Sequence, residues 1–155
     1  MQIIKRLSLG LSLLAVLAAT AAAQDSMMKS SQTTEKSLYQ RLGGYDAVAA
    51  VVDDFVGRLV SDKQFAPFFQ GHSTDSLKRI RQHIVDQFCA AAGGPCIYTG
   101  RDMKTAHRGL GITEAQWEVA AKHLVATLDK FKVPAKEKDD LLAFVTSLKK
   151  DIVEK

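Results

Sequence analysis

Two histidines stand where an imidazole could hold a metal. His107 closes the short stretch Met103-Lys104-Thr105-Ala106-His107, set within glycine-rich loop, and His83 lies beside Ile80 and Ile84 on a helical stripe. His72 reads as a solvent-exposed loop residue and His123 as a structural residue of a later helix. Two imidazoles alone cannot form a structural zinc site, which needs four nitrogen or sulfur ligands, and Cys89 and Cys96 are badly spaced to complete one. The cysteines could pair with each other, or Cys89 could be a small core residue and Cys96 a free loop thiol; spacing alone leaves both open.

The elements that must carry these groups emerge from composition and periodicity. Of 155 residues, 46% are hydrophobic and 25% charged, the balance of a globular domain and not of a disordered chain or a membrane bundle. Lys5 and Arg6, the apolar run from Leu7 to Ala19 and the exit Ala21-Ala22-Ala23 form the three parts of a secretion signal. Residues 1–23 are therefore expected to be removed after Ala23, and the protein to be periplasmic or secreted. The run is shorter than the roughly 20 residues of a spanning helix, and no comparable run succeeds it, so no membrane span is expected after processing. Residues 24–36 read as a flexible polar tether, and residues 37–155 as one domain. Without Lys5 and Arg6 the net charge falls from +4 to roughly +2, too little for a dedicated nucleic-acid binder.

No useful β-alternation occurs, so the fold class is all-α with four long helices. Asp46 can cap the first, whose apolar positions are Val48, Val51, Val52, Phe55 and Leu59, and Pro67 forces a break beyond it. The second runs from about Thr74 to Ala92 with Leu77, Ile80, Ile84, Phe88 and Ala91 on one stripe, and Gly93-Gly94-Pro95 ends it. Thr113 and Gln116 have capping-box spacing ahead of a third helix that turns Trp117, Ala121, Leu124, Leu128 and Phe131 inward. Pro134 fits the first turn of a fourth, whose buried side is Leu141, Leu142, Val145, Leu148 and Ile152. The long segment between the second and third helices, which holds His107, is of the kind that usually carries function.

An axial imidazole, a large apolar cavity and nearby cations are what an iron porphyrin needs, and the chain offers each. No C-x-x-C-H motif is present, which excludes c-type covalent attachment. The stretch Ser37-Leu38-Tyr39-Gln40-Arg41-Leu42-Gly43-Gly44, then Phe68-Phe69, Gly93-Gly94-Pro95, Tyr98-Thr99-Gly100 and Met103-Lys104 ahead of His107, resembles the truncated haemoglobins of group I over roughly residues 37–153. The resemblance implies a truncated globin fold, a two-over-two helical sandwich, holding non-covalent haem b. It puts His107 on the proximal iron ligand, Phe69 flat against the porphyrin with Phe68 beside it, and Phe55 beside the pocket. Tyr98 and Arg79 fall where propionate partners occur, and Phe88, Met103 and Trp117 fall on the haem wall.

Many members of that family carry a tyrosine on the first helix and a glutamine on the second, both donating hydrogen bonds to a bound gas. Here the corresponding positions read Val56, Ile80 and Ile84, none of which can donate, so weak oxygen retention is expected. His83 occupies the position at which some relatives bind iron from the distal side; it either fills the sixth site or turns to solvent. The resemblance thus implies reversible binding of diatomic gases such as oxygen and nitric oxide, with oxygen transport as one use. Nitric oxide dioxygenation or electron transfer through an unknown redox partner is the alternative. The processed protein is expected to begin at Gln24; an intact N-terminal mass that retains residues 1–23 after export would contradict this.

Overall fold

The computed structural model describes residues 35–155, and four of the eight helices within them start at a side chain that caps the first turn. The proposed signal segment 1–23 and the tether 24–36, apart from Glu35 and Lys36, lie outside the described residues. Ser37 and Gln40 form a reciprocal capping box, with Ser37 Oγ accepting from Gln40 N–H at 3.3 Å, and open α1 (Leu38–Leu42). Gly43, at φ 101°, takes the left-handed conformation that ends it. The helix α2 (Tyr45–Ser61) is capped by Gly44, so Asp46 lies inside its first turn and not at the cap expected for it. There its carboxylate still complements the helix dipole.

A single turn, α3 (Ala66–Phe69), carries Pro67 near its start and precedes α4 (Thr74–Ala91), whose N-cap Ser73 accepts from Ser76 N–H at 3.2 Å. After the loop come α5 (Met103–His107) and α6 (Glu114–Lys130), the latter opened by the Thr113–Gln116 capping box read from the sequence. The helix α7 (Ala135–Ser147) has Pro134 as its N-cap, one position before the first turn, and the chain breaks at Leu148 before α8 (Lys149–Ile152). No strand occurs among the described residues. The long helices pack as layered pairs, α2 lying against both α4 and α6 and α1 against α7, which is the two-over-two sandwich.

The core draws Val48, Val51 and Val52 from α2, Val85, Phe88 and Cys89 from α4, Leu124 and Leu128 from α6, and Leu141 from α7. On α4 this buried stripe is rotated from the one the periodicity suggested: Leu77, Ile80 and Ile84 are half-buried and Ala91 is exposed. Phe131, expected inward, is 40% exposed, because it lies just beyond the last turn of α6 as its C-cap. Its ring borders a cavity of about 110 Å3 shared with Val48, Val51, Phe88 and Leu128.

One polar cluster ties the layers together. Asp54 on α2 accepts hydrogen bonds from Arg58 Nε at 2.7 Å, from the fully buried Thr127 hydroxyl at 2.8 Å, and from Lys130 Nζ. Lys130 and Arg58 together hold its carboxyl far below the usual aspartate range, against the opposing effect of desolvation. At the far end of α2, Asp62 pairs with His123 Nε2 at 2.8 Å, and Arg41 Nε binds the buried Glu137 at 2.8 Å to link α1 to α7.

A depressed folded-state pKa stabilises above the unfolded value, and that stabilisation fades as pH falls toward the folded one. Asp54→Asn is therefore expected to lower thermal stability at pH 7, with the gap from wild type closing below about pH 4. Melting curves from pH 7 to pH 3 check this, and a gap independent of pH would refute it.

Candidate functional site

Five residues are too few to hold a helix by themselves, so α5 depends on its ends. Asp102 caps it, the carboxylate accepting from Thr105 N–H at 2.8 Å. At the other end the His107 ring turns back over its own helix, with Nδ1 at 2.9 Å from the Met103 carbonyl oxygen. A carbonyl only accepts, so Nδ1 carries a proton, and in the neutral ring this leaves the lone pair on Nε2. An orienting bond of this kind, from the second ring nitrogen to a backbone carbonyl, is typical of metal-binding histidines.

The turn after His107 is held from a distance. Leu110 N–H donates to the His107 carbonyl at 3.1 Å, and Gly109 and Gly111 adopt φ of 82° and 63°, which favour glycine. Both glycine N–H groups converge on Glu154: Gly109 donates to Oε1 at 2.7 Å and Gly111 to Oε2 at 2.6 Å. These two bonds hold the Glu154 carboxyl below the usual glutamate range.

On α4, His83 is half-buried and its Nδ1 is buried without a hydrogen-bond partner. Leaving such an atom unsatisfied costs about 1–3 kcal/mol. The His83 ring packs edge-on against Tyr98, with centroids 6.0 Å apart, so these two sequence-predicted residues do meet. The Tyr98 hydroxyl donates to the Arg101 carbonyl at 2.5 Å, and burial, with Asp102 nearby, pushes its pKa up. In this conformation that proton is engaged within the loop and is not offered to a propionate.

The loop is fastened to α4 by a Cys89–Cys96 disulfide, with Cα atoms 5.7 Å apart, which resolves the alternative left open by spacing. Gly94 lies inside that ring under severe crowding: a Cβ there would come within 2.6 Å of the Tyr39 ring and 2.7 Å of Cys89 Sγ.

Most of the remaining residues expected to line the site share one property. Phe55, Val56, Phe68, Phe69, Ile80, Ile84, Met103 and Trp117 are all half-buried, although they are apolar. Phe55, Val56 and Ile84 rest on the core, and Phe68 on the buried Phe65 at 6.4 Å between ring centroids. Such side chains offer apolar area that the protein itself leaves uncovered. Phe88 differs, being core and edge-on to Phe144, and Arg79 is exposed with only a 3.4 Å contact to the Ser76 hydroxyl. Among the described residues no cluster of three or more His, Cys, Asp or Glu could hold a bare metal ion. An iron bound by a lone imidazole would need its other ligands from a macrocycle, whose apolar faces half-covered side chains of this kind could cover.

Sequence reasoning did not find Glu154 or the roles of the Met103 and Arg101 carbonyls. Main-chain acceptors have no sequence signal, and Glu154 lies 45 positions from Gly109.

Known proteins resemble the chain over most of its described length. The family model described as bacterial-like globin matches residues 37–154. The group 1 truncated hemoglobin GlbN of Mycolicibacterium paratuberculosis is 36% identical over 116 residues, covering 75% of this chain and 83% of that protein. The crystal structure of truncated hemoglobin from Tetrahymena pyriformis in the Fe(III) form superimposes with a TM-score of 0.69 at 26% identity, covering 77% of this chain and all of that one. The 2/2 hemoglobin from Synechococcus, solved in the cyanomet state with covalently attached heme, also gives 0.69, at 28% identity and with the same coverage.

Closing a ring this short is worth about 2–3 kcal/mol through the unfolded state. Replacing Cys89 and Cys96 together by alanine is expected to lower unfolding free energy in urea by about that amount, and an unchanged midpoint would contradict it.

Proposed function

The chain belongs to the bacterial-like globins, as a truncated hemoglobin of group 1, and from that premise we propose that it binds one haem b non-covalently through His107 and takes up diatomic gases such as oxygen and nitric oxide. His83 would supply a second imidazole to hold the iron when no external ligand is present. The observation that carries this reading is the His107 ring, with Nδ1 tied to Met103 and the other nitrogen free to bind iron. The half-buried place of His83 beside Ile80 and Ile84, on a flank of α4 outside the core stripe, supports the second ligand.

Iron in the porphyrin supplies the reversible gas-binding site; the chain's own residues decide how long a ligand stays. Val56, Ile80 and Ile84 donate no hydrogen bond, so a polar diatomic gains nothing from them. A His83 that held the iron would compete with an incoming gas and slow its binding. Those two features make electron transfer the second reading and weigh against efficient nitric oxide dioxygenation. Phe55, Phe68, Phe69 and Trp117 offer the apolar area that excludes water from the ring faces. With residues 1–23 read as a secretion signal, the setting we propose is the periplasm or the cell exterior, where a Cys89–Cys96 bridge persists.

Ferric spectra after hemin titration test the reading. Wild type is expected to give a low-spin bis-imidazole spectrum, His83→Ala a high-spin one, and His107→Gly no tight retention unless imidazole is supplied. Absence of a Soret band after hemin addition to wild type would overturn haem binding, and high-spin spectra for both wild type and His83→Ala would overturn the second ligand.

A further inference from the structure

The proximal imidazole is held at one end by its own helix and at the other by a residue far along the chain. His107 is the last residue of α5, and its carbonyl accepts from Leu110 N–H in the turn that succeeds it. That turn contains Gly109 and Gly111, both with positive φ, and a turn with two such glycines has many conformations open to it. Here both N–H groups meet the two oxygens of one carboxylate, at 2.7 and 2.6 Å. Alternate amides converging in this way form a concave anion seat, and here its occupant is a side chain of the same protein.

The carboxylate is itself fixed in place. Glu154 N–H donates to the carbonyl of the buried Ile112 at 2.8 Å, and the Lys155 carbonyl accepts from Glu114 N–H at 2.9 Å, joining this segment to the start of α6. The turn is thus bound on both flanks: through its glycines to the Glu154 side chain, and through Ile112 to the Glu154 backbone. With Asp102 capping the opposite end, α5 is pinned at each terminus by a carboxylate, one local and one 47 residues beyond His107.

We propose that Glu154 is a positioning residue for the axial ligand: by holding the amides of Gly109 and Gly111 it sets the tilt of the His107 ring against the iron. This rests on the haem reading above. A merely structural staple would stabilise the chain without any signature at the metal, and the test separates the two roles.

The haem-loaded full chain is compared as wild type, Glu154→Gln, Glu154→Ala and Lys149→Ala. Lys149 ties α8 to Glu114 at the start of α6, so its loss loosens the same region without touching the glycine turn. Two quantities are read: the iron–imidazole stretching band, recorded by resonance Raman directly after photolysis of the carbon monoxide complex, and the rate of haem transfer to excess apomyoglobin. Glu154→Ala is expected to shift and broaden the band and to speed haem loss about tenfold, the lower end of what partners behind a metal ligand usually contribute. Glu154→Gln keeps one acceptor oxygen and is expected to fall between; should the alanine variant not fold, it carries the comparison alone. Lys149→Ala is expected to leave the band at the wild-type frequency. The proposal is overturned if the Glu154 variants keep the wild-type band and transfer rate, or if Lys149→Ala moves the band as far as they do. A wild type that takes up no hemin overturns the haem reading instead.

Discussion

The bond from His107 Nδ1 to the Met103 carbonyl decides what the site can be. It places the ring proton on one nitrogen, and so leaves a lone pair on the other. A neutral imidazole of defined tautomer, held by a main-chain acceptor, is a good iron ligand, and it needs no further acidic or basic partner to become one. Because α5 has only five residues, that definition is borrowed from its surroundings: the Asp102 cap, the glycine turn and the segment at Glu154. The part of the molecule nearest the chemistry is therefore the part least able to fold alone.

The other candidate histidine is carried differently. His83 rides on an 18-residue helix whose buried stripe, Val85, Phe88 and Cys89, belongs to the core. That stripe is displaced around the helix from Ile80 and Ile84, which leaves those side chains and His83 on a flank the protein only half covers. Rigid helix on one side and tethered turn on the other means that the two imidazoles differ in how easily each can move. The disulfide and the Tyr98 ring extend the rigidity of α4 into the loop beyond its C-terminus.

The layout was legible where the signal is local. The Thr113–Gln116 capping box, the break at Gly93-Gly94-Pro95, the all-helical class and most of the core valines and leucines come from spacing within a few residues. The candidate ligands were also nameable, since a histidine in a glycine-flanked helical turn is conspicuous. Features that depend on distant partners were not legible. The Asp54 cluster joins residues up to 76 positions apart, and Glu154 meets the glycine turn from 43 and 45 away. Periodicity also cannot tell a stripe buried by protein from one left for something else to cover, which is why the apolar face of α4 was read one step out of register. Phe131 failed for a simpler reason, since a helical period says nothing about a residue that caps the helix.

Gly94 bears on how sequences of this kind can drift. Removing the Cys89 sulfur would clear only one of its two obstacles, because the Tyr39 ring stands as close to the missing Cβ as Sγ does. A lineage could thus gain or discard the cross-link by changing cysteines, while the neighbouring glycine stays frozen until the aromatic at position 39 is also replaced. Of the two features, the bridge is the one free to come and go, and the glycine is the slower clock.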